Sequence, residues 1–187
     1  VDIDRSELNK PIKTDLKIYL NLKYFLTQLN KQLKITTLPS WEQWLNKCKK
    51  LKNDNLIMNK ITKTNPIDLY LFMSELGKLS KKNSILVTDA GSNYYIGGQV
   101  WEFQNGQREI TSGTNAAMGL SIPLAIGASV AEPKKDVLAV TGDGSLELNI
   151  QELKTISHYK LNIKLFIINN GGYVSMINWQ DKIFGGR

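Results

Sequence analysis

Cysteine is nearly absent from this 187-residue chain, and so is histidine: each occurs once, as Cys48 and His158. A lone cysteine excludes an internal disulfide, and no Cys/His cluster offers the spacing of a zinc site. Cys48 reads as a buried or incidental thiol. His158, in Ser157-His158-Tyr159-Lys160 with no partner motif nearby, reads as a structural or surface residue. Long apolar runs are missing too. None approaches the roughly 20 residues that span a bilayer, and Val1-Asp2-Ile3-Asp4-Arg5 carries charge where a signal peptide would be apolar. The expectation is a soluble, cytoplasmic protein with no membrane partner.

Negative charge is scarce overall, with a net charge of +7, but the imbalance is local. Residues 1–64 carry 13 Lys/Arg against 6 Asp/Glu, whereas residues 65–187 carry 11 of each. The excess is lysine-rich and scattered, as in Lys47-Cys48-Lys49-Lys50-Leu51-Lys52, a pattern of solvated helix faces rather than a phosphate-binding stripe. No nucleic-acid partner is expected. What the chain does have is 42% apolar residues, enough for one substantial core plus an appendage.

Val1 to Asp4 has the look of a strand's tail. Leu16, Leu20, Phe25, Leu26, Leu29 and Leu33 then fall near helical spacing. Ser40 with Gln43 is a capping-box signature for a helix carrying Trp41, Trp44, Leu45 and Cys48. Asn65-Pro66 suits an N-cap and first helical position before the stripe Leu69, Phe72, Met73, Leu76 and Leu79. Three short apolar runs follow, Ile85-Leu86-Val87, Val137-Leu138-Ala139-Val140 and Ile163 through Ile168, with helical segments at 115–131 and 146–159. Strands apolar throughout and alternating with helices predict an α/β fold, a doubly wound parallel sheet with helices on both faces. The sheet would normally gain more strands after the third run, so the fold is expected to be C-terminally incomplete. The expected boundaries are 1–36, the end of a preceding domain; 37–66, a linker with a helix; and 67–187, the main domain.

Each of these strands runs into small and polar residues: Thr88-Asp89-Ala90-Gly91-Ser92-Asn93, Thr141-Gly142-Asp143-Gly144-Ser145, and Asn169-Asn170-Gly171-Gly172. Open parallel sheets bind ligands outside those carboxyl ends. Gly142 and Gly144 permit a tight turn and close approach, Asp143 supplies a hard carboxylate, and a helix starting near Ser145 would aim N–H groups at an anion. Asn170 follows Asp143 by 27 residues, a span one helix and one strand can cover, so its amide oxygen can return beside the carboxylate. With a backbone carbonyl, water and diphosphate oxygens these would complete an octahedral Mg²⁺ site. Gly-x-Gly-x-x-Gly does not follow the first strand, and no Gly-x₄-Gly-Lys-Ser/Thr loop occurs, which argues against nicotinamide and nucleoside-triphosphate folds.

The ordered pair, Gly142-Asp143-Gly144 and then Asn169-Asn170, resembles the cofactor motif of the thiamine-diphosphate enzymes. Thr141-Gly-Asp-Gly-Ser-Leu-Glu-Leu-Asn-Ile-Gln-Glu-Leu153, Ile167-Ile-Asn-Asn170 and Trp179-Gln180-Asp181 narrow the resemblance to acetolactate-synthase-like large subunits, across essentially all of residues 67–187. The resemblance implies thiamine diphosphate and Mg²⁺ as cofactors, with Asp143, Asn170 and the Gly172 carbonyl on the metal. It puts the amides of Gly144 and Ser145 on the diphosphate, with Gly142 and Tyr173 beside them. Gly91, Ser92 and Asn93 match a diphosphate-touching loop, although acetolactate synthases carry Gln-His where this chain has Ser92-Asn93. Met118 matches the apolar residue that bends the cofactor, and the Ala116 carbonyl the acceptor for its 4′-amino group; otherwise Met118 would be a helical core methionine. Trp179 matches an acceptor-pocket tryptophan, with Ser175 where the family usually has methionine.

The implied activity is that of a 2-keto acid decarboxylase/carboligase acting on a small-molecule 2-keto acid and an acceptor, as a homodimer or homotetramer through the cofactor domains. The activating glutamate would belong to an N-terminal pyrimidine-binding domain, so no catalytic residue is expected within these 187 and the fragment alone should be inactive. Trp41-Glu-Gln-Trp44 to Lys49 and Asn65-Pro66 resemble relatives from bacterial surface-polysaccharide pathways, which would make the acceptor a keto-sugar. A non-catalytic diphosphate-binding module is the alternative from a different class.

Overall fold

A computed structural model describes residues 1–54 and 67–186. The chain divides into two compact units, Val1–Asn55 and Leu56–Arg187. In the first, the expected strand tail amounts to a single parallel bridge between Asp2 and Tyr19. Helix α1 spans Leu22–Leu33, capped by Asn21, whose side chain accepts the Lys23 N–H, and α2 spans Glu42–Asp54. Leu16 and Leu20, grouped with that helix by spacing, precede it. The Ser40 hydroxyl accepts the Glu42 N–H at 3.4 Å, and Cys48 is exposed rather than buried.

The second unit holds the remaining elements: α3 (Leu69–Leu79), β1 (Ile85–Thr88), α4 (Ser92–Val100), β2 (Arg108–Ile110), α5 (Ser121–Ala131), β3 (Val137–Gly142), α6 (Asp143–Glu147), α7 (Glu152–His158), β4 (Ile163–Ile168) and α8 (Val174–Phe184). Asn65 and Pro66 lie outside the described residues; α3 is capped instead by Asp68, whose Oδ1 accepts the N–H of Tyr70 at 2.8 Å and of Leu71 at 3.1 Å. The sheet is parallel throughout, in the order β2-β1-β3-β4. Its two sides are both covered. Leu86, Leu138 and Val140 pack with Met73, Ile96 and Trp101 beneath α3 and α4, while Ile85, Val87, Val137 and Ala139 pack with Ala125 and Ala128 of α5. Neighbouring residues of one strand thus serve opposite layers, which is why these strands are apolar without alternation.

Three local expectations are corrected. Strand β2 was not anticipated: it is a three-residue edge strand with two charged residues, and Glu109 earns its place by accepting the Thr88 hydroxyl at 2.7 Å. The helix expected over 115–131 begins only at Ser121, because Ala116 (φ 44°) and Gly119 (φ 81°) take left-handed conformations that a right-handed helix cannot continue. The helix expected over 146–159 is two short ones, α6 and α7.

At the amino-terminal ends of the strands, opposite the loops that follow them, Asp136 is a charged joint. Its carboxylate meets Lys81 at 2.8 Å and Lys164 at 3.1 Å, and accepts the Asn162 amide at 2.8 Å. The hydrogen bonds from Lys81, Asn162 and Lys164 hold the Asp136 carboxyl well below the usual carboxylate range. A depressed folded-state pKa contributes stability that is complete above the unfolded value of 3.8 and is lost as pH falls below it. Asp136→Asn should therefore cost about 1–2 kcal/mol at neutral pH. Urea melts at pH 7, 5 and 3 should show the gap between wild type and variant holding to pH 5 and narrowing at pH 3; a pH-independent gap would contradict the charged role.

Candidate functional site

The connection from β1 runs outward to β2 and then crosses back to β3, with α4 on one face and α5 on the other. The order of strands therefore reverses between β1 and β3, leaving a crevice at their carboxyl ends. Register brings the three motif loops there together: Thr88 pairs with Val140, and Gly142 with Ile168. A cavity of about 320 Å³ opens at that point. Gly91, Ser92, Asn93, Ala116, Met118, Gly142, Asp143, Gly144, Ser145, Asn170, Tyr173 and Trp179 all line it. Gly172 does not, but its N–H reaches Asp143.

Asp143 organises the loop opposite. Its Oδ2 accepts the backbone N–H groups of Asn170, Gly171 and Gly172 at 3.2, 3.0 and 2.8 Å. Three converging amides on one carboxylate oxygen bind the end of β4 to the start of α6 and leave Oδ1 with a single partner, the Gly144 N–H at 2.9 Å. The Asn170 side chain, exposed at the cavity, makes no hydrogen bond to the described residues. The donor set at this corner is one carboxylate oxygen, one carboxamide and backbone carbonyls. This hard, oxygen-rich set with few fixed charges suits an Mg²⁺ that keeps water and phosphate oxygens. Among the described residues no group of three His, Cys, Asp or Glu could hold a metal by itself, so a cation here would depend on the ligand's own charge.

Tyr173 forms the lid of this corner. It sits in the left-handed region (φ 45°), and its ring lies so close to Gly144 that a Cβ there would come within 3.1 Å of it. Any side chain at 144 would have to shift that ring by a few tenths of an ångström. The Tyr173 hydroxyl donates to Glu147 at 3.4 Å; desolvation at the cavity wall, with Glu147 and then Asp143 nearby, holds the phenol above its usual pKa.

Asn93 is buried, and its Oδ1 accepts the Asp89 N–H at 3.1 Å, so it caps the turn after β1. Met118 is not a helical core residue: it lies in the loop before α5, half-buried on the cavity wall. Trp179 is 61% exposed on the rim, with Lys182 Nζ 5.8 Å from its ring centroid. His158 is exposed at the end of α7, edge-on to Tyr159. Sequence reasoning missed Tyr95 and Met176, which add apolar wall; Tyr95 follows Ser92 by one helical turn, a spacing that could have flagged it. It also passed over Asp89, a fully buried carboxylate inside a quoted motif.

Fold and cavity together define a parallel α/β domain with an open cavity at its topological switch point. Residues 89–187 match the model of the thiamine pyrophosphate enzyme C-terminal TPP binding domain, and the chain belongs to that family. Thiamine diphosphate, with Mg²⁺ as its usual partner, is the family's cofactor. The chain is 35% identical over its whole length to the acetolactate synthase large subunit of Buchnera aphidicola subsp. Schizaphis graminum, covering 33% of that protein. It is 32% identical to the acetolactate synthase large subunit of Lactococcus lactis, covering 32% of it, and 30% identical to the isozyme 3 large subunit of Escherichia coli K12, covering 33%. It thus spans about a third of the length of the curated relatives it matches. No helix among the described residues is long and apolar enough to cross a membrane.

Proposed function

We propose that this chain is the diphosphate- and Mg²⁺-binding part of a thiamine-diphosphate-dependent 2-keto acid decarboxylase/carboligase. The observation that carries this reading is the convergence of the Asn170–Gly172 amides on Asp143 beside a free Asn170 side chain. In it, Asp143, Asn170 and the Gly172 carbonyl ligate Mg²⁺; the amides of Gly144 and Ser145 and the loop Gly91-Ser92-Asn93 meet the diphosphate. Met118 and the Ala116 carbonyl face the aminopyrimidine end, and Trp179 with Met176 borders the substrate side. When bound, the cofactor supplies an electron sink for losing CO₂ from a 2-keto acid. The residues here would orient it and hold the Mg²⁺ that neutralises its diphosphate.

Residues 67–187 form the cofactor domain in this proposal, 1–36 the end of a central domain and 37–66 a linker. The whole protein works in the cytoplasm as a homodimer or homotetramer through its cofactor domains. The test is CO₂ release from pyruvate and other 2-keto acids by the full-length protein, with thiamine diphosphate and Mg²⁺ each omitted in turn. Release that requires both is expected. Tight cofactor binding without turnover of any 2-keto acid would instead identify a non-catalytic binding module.

A further inference from the structure

Asp89 is completely buried, and its carboxylate meets no cation among the described residues. A buried carboxyl group of this kind is tolerated only when hydrogen bonds replace its hydration. Four do so. Its Oδ1 accepts the N–H of Ala90 at 2.8 Å and of Gly119 at 3.0 Å; its Oδ2 accepts the N–H of Ser121 at 3.0 Å and the Thr141 hydroxyl at 3.2 Å. From the other side, the Asn149 amide donates to the Gly119 carbonyl at 2.8 Å. Gly119 is therefore gripped through both halves of its backbone. The grip is tight as well: a Cβ on Gly119 would lie 2.8 Å from Leu148 Cβ and 3.2 Å from the Ser145 carbonyl oxygen.

This glycine closes the left-handed turn that carries Ala116 and Met118 on one wall of the cavity, while Ser145 to Asn149 continue directly from the Asp143 wall. We propose that Asp89 and Asn149 are positioning residues that clamp Gly119, fixing the wall bearing Ala116 and Met118 at a set distance from the wall bearing Asp143. The inference rests on the thiamine diphosphate reading above: a ligand with a heterocycle at one end and a diphosphate at the other is bound well only if both walls are in register. Neither residue touches the ligand. Asn149 lies outside the cavity lining and makes no hydrogen bond to Asp143, so its loss should leave the Asp143 corner intact.

The experiment uses the full-length protein and calorimetric titration at saturating Mg²⁺, with thiamine diphosphate and, separately, inorganic pyrophosphate, which reports on the diphosphate contacts without those of the wall bearing Ala116 and Met118. Asn149→Ala should weaken thiamine diphosphate about tenfold, the equivalent of one lost hydrogen bond. Pyrophosphate affinity should stay within about twofold. Asn149→Asp, which keeps the volume but turns an oxygen toward the Gly119 carbonyl, should give the same split if the alanine variant does not fold. Equal losses for both ligands, no loss for either, or failure of both variants to fold would make the clamp a stability element and overturn the proposal. So would wild-type protein that binds thiamine diphosphate but not pyrophosphate. Wild-type protein that binds neither would instead overturn the functional assignment itself.

Discussion

Replacing Asp143 with alanine in the full-length protein should abolish Mg²⁺-dependent binding of thiamine diphosphate, weakening it at least about a hundredfold, or roughly 2.7 kcal/mol. Two losses combine in this variant. The carboxylate beside Asn170 disappears, and with it the charge that would partner the metal. The acceptor that gathers the Asn170, Gly171 and Gly172 amides also goes, so the loop carrying two of the proposed metal ligands is no longer held. Folding should suffer little, less than about 1 kcal/mol, because Asn170 and Gly171 are exposed and water can replace the lost acceptor. Asp143→Asn retains the shape and part of the acceptor capacity without the charge, and should fall between wild type and alanine. Calorimetric titration with and without Mg²⁺, beside a urea melt, separates these effects. Affinity unchanged in Asp143→Ala would remove the diphosphate site from this corner.

The largest effect on stability should come from Gly119→Ala. The residue is buried with φ at 81°, a conformation that costs an L-residue about 1–2 kcal/mol. Its Cβ would also meet Leu148 Cβ at 2.8 Å and the Asn149 amide nitrogen at 3.0 Å, and such overpacking costs about 1–3 kcal/mol. The expected sum is about 3 kcal/mol, read from the urea midpoint at constant m-value. Gly127→Ala provides the contrast: Gly127 lies on the exposed side of α5 with nothing within 4 Å, so alanine should stabilise that helix by about 0.5–1 kcal/mol. If the two substitutions behaved alike, backbone conformation and close packing would not be what requires glycine at 119.

How much could be read in advance differs by element. The strands β1, β3 and β4 were legible because each is a short, largely apolar run, a property of composition that needs no partner to be seen. Only β1 and β3 are buried on both faces, however, while β4, at the sheet's edge, is not. Strand β2 was not, because Arg108-Glu109-Ile110 has no such signature; it is a strand only because β1 offers it a free edge and Thr88 satisfies Glu109. The start of α5 was misplaced since alanine and methionine at 116–118 are good helix formers, and a clamp on Gly119 overrides their propensity. Asp89 stood inside a quoted motif without a role, because three of its four partners are 30, 32 and 52 residues away.

By itself the sequence determined the class of fold, the family, and the small and polar residues that would end each strand, since these follow from local composition and from motif spacing along one chain. Only the tertiary structure decided that Asp143 binds the amides after Asn170, that the Tyr173 ring packs against Gly144, and that Asp89 joins the loop following β1 and the end of β3 to the turn before α5. Those choices depend on which strands lie side by side and in what register. That is a matter of long-range pairing, to which the residues of any one loop contribute only a part.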